Sequence, residues 1–248
     1  MAPISGQSIL VIGGSSGIGF SVAKLALAEK VRVVIASSNE AKVKDAVSRL
    51  KAASPNGDVS GYTIDLADED PESRLEKLLT DASAPGPLDH IVYTAGRAEG
   101  KPIAEVDLAS AIQLARVPFF VPILVAKLGP KFLRSGYTSS VTFTSGQVVE
   151  KPVPGYSLLT GYVSALHGLA RNLAVDLAPL RINVVAPGAT ETELWGDYRD
   201  MVREMALKGS LLGRPGSPDD VAEAYIYLMK NVDATGSIVS SNGGATLK

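Results

Sequence analysis

Gly13, Gly17 and Gly19 recur as G-x-x-x-G-x-G within Val11-Ile12-Gly13-Gly14-Ser15-Ser16-Gly17-Ile18-Gly19-Phe20, between a short apolar run and a segment of helical period. A strand that turns through glycine straight into a helix aims free N–H groups and the positive end of the helix dipole beyond the strand. That arrangement suits a phosphate. In this reading Gly13 takes the tight turn, Gly17 lets the backbone approach a pyrophosphate, and Gly19 allows close helix–strand packing. Ser15, Ser16 and Ile18 complete the loop. An ordinary glycine-rich turn is the alternative, weakened by the cluster's place directly after the first strand.

Other chemistry is bounded by composition. The 248 residues include no Cys and only His90 and His167, which excludes a disulfide framework, a cysteine-type zinc site and a cysteine nucleophile, and no metal is expected. Lys and Arg number 24 against 26 Asp and Glu, for a net charge of −2. The basic residues are interspersed with acids along 24–51 and 199–208, as on solvated helix faces, so no nucleic-acid partner is expected. The start lacks a basic region, and no apolar stretch is expected to reach the roughly 18–20 residues of a membrane span. A cytoplasmic chain without a membrane partner is the expectation.

These residues need positioning elements. Runs rich in Val and Ile at 8–12, 31–36, 59–64, 88–93, 140–144, 182–185 and 237–240 read as buried parallel strands. Helical spacing marks 17–29, 40–53, 71–80, 108–134, 158–177 and 218–230. Such alternation predicts a doubly wound α/β parallel sheet, because parallel neighbours need helical crossovers. No linker or repeat interrupts it, so residues 1–248 read as one domain.

The glycine spacing resembles that of the short-chain dehydrogenase/reductase superfamily, and the likeness runs along nearly the whole chain. Thr94-Ala95-Gly96 resembles its Asn-Asn-Ala-Gly, Ser145 its catalytic serine, and Pro187-Gly188 through Thr192, with Thr190 between, its cofactor loop. Gly213 to Ala222 resembles the start of its penultimate helix. The resemblance implies a Rossmann-like sheet of order 3-2-1-4-5-6-7 with a nicotinamide cofactor across the strands' carboxyl ends. It also implies a homodimer or homotetramer, formed through the helices at 108–134 and 158–177. An NAD-selecting site puts Asp or Glu at the end of the second strand, against the ribose 2′-hydroxyl. Here Ala36-Ser37-Ser38-Asn39 can donate to a 2′-phosphate without repelling it, so NADP(H) is expected. Ser and Asn are also good caps for a helix beginning near Glu40, and both roles can hold. Asp65-Leu66 matches the family's adenine edge.

Superfamily reductases protonate a carbonyl with a Tyr assisted by a Lys four residues on. Of the eight tyrosines only Tyr93 has a basic residue at that spacing, Arg97, and this pair brackets Thr94-Ala95-Gly96 in another element. Gly168-Leu169-x-Arg171-x-Leu173-Ala174, which the family carries downstream of its Lys, puts Leu159 at the Tyr position and Val163 at the Lys position. The remaining donors are Ser145, Tyr156 and Tyr162. His167 lies four residues beyond Val163 on the same helix face and reads as a packed helix histidine.

Lys151 to Ser157, Ser164 to Arg171 and Ala189 to Trp195 resemble an atypical fungal branch that lacks Tyr-x-x-x-Lys. Within it the chain is similar to the bifunctional reductase/Diels–Alderases of fungal indole alkaloid biosynthesis, whose loop reads Pro-Asp-Pro-Gly-Trp. The resemblance implies catalytic help from that loop Asp and from an Arg of the preceding long helix. Here Val153 holds the Asp position, the Arg falls at Pro118 or, shifted by two, at Arg116, and Tyr156 replaces the Trp as an aromatic wall. In this superfamily the segment after Thr190 forms a lid, which makes Leu194, Trp195 and Met201 pocket wall. Three functions stay open: hydride transfer to an iminium or similar group of an apolar polycyclic substrate, with or without a [4+2] cycloaddition; a non-redox cyclase or isomerase; and a non-catalytic cofactor-binding protein.

Overall fold

The computed structural model describes residues 2–96 and 100–248. Its sheet has seven strands in the order β3-β2-β1-β4-β5-β6-β7, every neighbouring pair parallel. They are β1 (Ser8–Ile12), β2 (Arg32–Ser37), β3 (Val59–Thr63), β4 (His90–Tyr93), β5 (Ser140–Thr144), β6 (Arg181–Pro187) and β7 (Ile238–Ser241). The helices are α1 (Gly17–Ala28), α2 (Glu40–Ala53), α3 (Pro71–Ala82), α4 (Leu108–Ala115), α5 (Val121–Leu128), α6 (Ser157–Asp176), α7 (Arg199–Gly209) and α8 (Pro218–Lys230).

Helices cover both faces, which explains why the central strands are apolar without alternation. Leu10, Ile12 and Val34 face the side packed by α3, α5 and α6. Ile9, Val11 and Val33 face the side packed by α1, α2 and α8. In the register Ile12 lies opposite Ala36 and Tyr93, Tyr93 opposite Phe143, and Thr144 opposite Val185. The strands' carboxyl ends therefore form one rim, from which Gly13, Thr94, Ser145 and Gly188 emerge.

The expected helix over 108–134 is interrupted. Between α4 and α5, Arg116–Phe120 is a π-turn in which Val121 donates to the carbonyl five residues back, at Arg116. Pro118 and Pro122 have no N–H, so the regular ladder cannot pass through them. The run Leu108–Lys131 is nonetheless, at 24 residues, long and apolar enough to cross a membrane, contrary to the expectation that no stretch reaches that length. Val121, Val125 and Leu128 of this run are buried in the core, whereas Leu108, Ile112, Phe120 and Ile123 are exposed.

Two buried polar residues lock the edge opposite the rim. Arg181 donates to the carbonyls of Leu228 and Met229, at 2.6 and 3.1 Å, satisfying the last turn of α8. His90 bonds Ser140 Oγ through Nδ1 at 2.8 Å and Gln7 Oε1 through Nε2 at 2.7 Å. Burial, reinforced by the Arg181 charge, pushes its pKa down to about 3. The folded chain thus binds no proton at His90 between about pH 6.5 and about 3, while the unfolded chain does. Acid therefore removes stability across that window, by up to ~1.4 kcal/mol per pH unit for one proton. Urea unfolding followed against pH is expected to show this slope, and His90→Gln to flatten it; an unchanged slope counts against the assignment.

Candidate functional site

The turn from β1 into α1 is a close crossing of backbones. Gly13 has φ +96, and a Cβ there would lie 2.6 Å from the Ala95 nitrogen. At Gly19 a Cβ would lie 2.3 Å from the Gly13 carbonyl oxygen and 2.5 Å from Thr94 Oγ1. Thr94 donates to the Ile12 carbonyl through both its amide, at 2.8 Å, and its hydroxyl, at 3.2 Å. The helix start is thereby seated against the strand ends, with Ser15 buried and Ala95 and Gly96 beside it on the rim.

Ser16 occupies the N-cap of α1 in extended backbone and makes no side-chain cap bond. The Gly17 amide instead donates to Glu193 Oε2 at 3.0 Å. A carboxylate accepting from the first amide of a helix uses the same donor that suits a phosphate oxygen, so the chemistry of this turn fits an anion. Gly17 takes a left-handed φ of +52, and a Cβ there would be 3.0 Å from the Thr192 methyl, which puts Thr192 directly above the loop, near Ile18. Thr190 is buried and donates to the Gly188 carbonyl at 3.0 Å. Gly188 follows Pro187 and passes so close to Asn242 that a Cβ would lie 2.7 Å from its Cα. Asn242 itself accepts from the Gly244 amide, holding the turn after β7.

At the end of β2, Asn39 Oδ1 accepts from the Lys42 amide at 2.9 Å and caps α2, so the capping role is realised. Ser38 is exposed, next to the half-buried Ser37. Ser38 and Asp65 line a cavity of about 340 Å³ that also touches Tyr62, Arg74 and Lys77. Asp65 accepts from the Ala67 amide at 2.9 Å, and Leu66 is buried behind it.

At the other end, the Ser145 amide donates to the Val185 carbonyl at 2.9 Å, and its Oγ lies 2.8 Å from His167 Nε2. His167 is therefore not merely packed, as its sequence context suggested. Its place one turn beyond Val163 was the available signal. Burial, then the Arg171 cation, lowers its pKa, with Glu150 opposing, so the ring is neutral near pH 7. Val163 is buried and Leu159 half-buried on the same helix.

Two expected catalytic side chains are committed elsewhere. Tyr162 donates to the Ala111 carbonyl at 2.8 Å and stacks on Phe119 at 6.5 Å, so its hydroxyl is tied to α4. Arg116 donates to the carbonyls of Ala67 and Asp68, at 2.7 and 3.2 Å, because the π-turn carries it toward the loop after β3. Tyr156 is half-buried just before α6, its ring 3.1 Å from where a Cβ on Gly100 would sit. Arg97 lies outside the described residues.

Residues 2–248 match the SDR-like Rossmann domain family. The chain is 46% identical over 254 residues to the short-chain dehydrogenase/reductase ATR9 of Stachybotrys chlorohalonatus, covering 100% of both. It is 39% identical to the short-chain dehydrogenase/reductase malC of Malbranchea aurantiaca, over 99% of this chain and 96% of that one. The structure of MalC reductase/Diels-Alderase superposes with a TM-score of 0.94 at 40% identity, covering 98% and 97% of the two chains.

A cofactor pyrophosphate at this loop would have to displace the Glu193 carboxylate from the Gly17 amide. Glu193→Gln is expected to tighten binding of a nicotinamide dinucleotide roughly fivefold, the equivalent of ~1 kcal/mol for an exposed charged hydrogen bond. Quenching of the single tryptophan, Trp195, two residues away, provides the readout; unchanged or weaker affinity overturns the competition.

Proposed function

Because the chain belongs to the short-chain dehydrogenase/reductase family, we propose that it is an NADP(H)-dependent oxidoreductase that transfers hydride to an iminium or similar carbon of an apolar polycyclic substrate. The observation that carries this reading is the apolar pair Leu159 and Val163 on α6, the helix that also brings His167 to Ser145 on the rim. A nicotinamide bound along the rim supplies the hydride. Gly17 admits its pyrophosphate, Gly13 and Gly19 permit the tight crossing that aims the loop, and Ser37, Ser38 and Asn39 leave a 2′-phosphate unopposed by a carboxylate.

Around the reacting carbon the chain provides shape more than charge. A cationic C=N already carries its proton and needs only positioning and hydride, whereas a ketone develops an alkoxide that Leu159 and Val163 cannot stabilise. In this reading Tyr156, before α6, and Trp195, in the segment after β6, each lend an aromatic face to the substrate. Leu194, Tyr198, Met201 and Met205 are exposed on the segment from Glu193 through α7, which supports an apolar ligand beneath it. The likeness to a reductase/Diels-Alderase favours a second reading, in which the same faces orient an intramolecular [4+2] cycloaddition and the cofactor acts as part of the pocket. We further propose a cytoplasmic homodimer or homotetramer whose copies meet through the helices over 108–134 and 158–177.

Calorimetry is expected to show tighter binding of NADP(H) than of NAD(H), and Ser38→Asp to reverse the preference by placing a carboxylate where the 2′-phosphate would lie. Equal affinities in the parent chain overturn the cofactor assignment. Reduction of a preformed cyclic iminium is expected to exceed that of the ketone of matching shape by on the order of a hundredfold, because the cation is the stronger hydride acceptor and no charged acid stands beside a ketone oxygen. Leu159→Tyr with Val163→Lys is expected to restore ketone reduction. Efficient ketone turnover by the unaltered chain counts against the iminium reading.

A further inference from the structure

We infer that Ser145 and His167 form a proton relay that converts a neutral imine into the iminium accepted by the hydride, so that the enzyme takes imines as well as preformed cations. This rests on the reductase reading above.

The geometry is specific. Ser145 stands at the carboxyl end of β5, on the rim, and its Oγ is 2.8 Å from His167 Nε2. The other histidine has both ring nitrogens occupied, by Ser140 and Gln7, and is sealed in the core. His167 is only half-buried, and among the described residues no protein group bonds its Nδ1. A ring with one nitrogen on a catalytic-position serine and the other free to exchange with water can move a proton without holding a charge. The apolar neighbours Leu159 and Val163 disfavour a charged acid at this place, and a relay through neutral tautomers requires none.

The step balances. Ser145 Oγ–H passes its proton to the imine nitrogen as hydride arrives at carbon and regains one from His167 Nε2–H, while Nδ1 takes a proton relayed from a buffer acid through solvent, so that one solvent proton is consumed per turnover. The ring ends as its other neutral tautomer. The imine carbon accepts hydride from the nicotinamide, the C=N π pair settles on the protonated nitrogen, and the products are the amine and the oxidised cofactor. Ser145 is the catalytic residue and His167 acts through it.

The test compares two probes with NADPH: dihydroisoquinoline, a neutral cyclic imine, and its N-methyl iminium salt, whose charge is fixed. The pH is held above the imine's own pKa. In both Ser145→Ala and His167→Gln, the loss on the neutral imine is expected to exceed the loss on the fixed cation by on the order of a hundredfold. Gln retains a hydrogen-bond partner for Ser145 but has no ring to pass a proton. Titration with NADPH through Trp195 fluorescence establishes that each variant folds and binds, and Ser145→Ala carries the test if His167→Gln does not fold. Equal losses on both probes mean a structural role and overturn the relay. Turnover of the cation but not of the neutral imine by the parent chain overturns the relay alone. Turnover of neither overturns the reductase reading and the relay with it.

Discussion

The rest of the site depends on how closely the backbone of β1 passes the start of α1 and the end of β4. Gly19 has no room for a side chain against the Gly13 carbonyl, and Gly13 has none against Ala95. Two hydrogen bonds from Thr94 to Ile12 hold β4 in the same crossing. Because these distances leave no slack, the first turn of α1 is aimed outward along the rim. The positive end of that helix is then a consequence of packing, and the acid that meets it comes from Glu193 rather than from a local cap.

A second constraint roots the segment that carries Glu193. The Glu191 amide donates to the Gly216 carbonyl, the Gly216 amide to the Ala189 carbonyl, and Thr190 pairs with Gly216 across the same bridge. The Glu191 carboxylate receives Arg199 at 2.8 Å and Arg203 at 3.2 Å, which lowers its pKa and fixes the first turns of α7. Beyond this root the segment turns at Gly196, with φ +46, and exposes apolar side chains toward solvent. One stretch of chain thus combines a polar anchor, a carboxylate on the first amide of α1 and an exposed apolar surface.

The reacting end is built differently. The Ser145 main chain is held by β6, and its side chain by α6. The same helix turns Tyr162 away toward α4, where the Ala111 carbonyl and the Phe119 ring hold it. Helix rotation therefore separates two side chains five residues apart, one toward the rim and one toward the neighbouring helix. At the end of β5 the polar groups brought together by α6 are a serine hydroxyl and a histidine ring nitrogen, with Leu159 and Val163 on the same helix.

The alternation of apolar runs and helical periods determined the parallel sheet and its covered faces, and the glycine spacing determined the close crossing of β1, α1 and β4. These are local properties: a strand buried on both sides must be apolar throughout, and a crossing without room for a Cβ must use glycine. The capping role of Asn39 was likewise legible, since a cap acts on the next turn of its own helix. Partnerships across the chain were not. Ser145 meets His167 because α6 lies over the end of β5, and Glu193 meets Gly17 across 176 residues because the segment after β6 folds back over α1. Arg116 and Tyr162 had residue types suited to chemistry, but the π-turn forced by Pro118 and Pro122 and the rotation of α6 gave their polar atoms to backbone carbonyls. Spacing along a chain encodes which residues share a face. Only the tertiary structure decides what that face meets, because the rotation and register of packed elements are set by contacts among all of them at once.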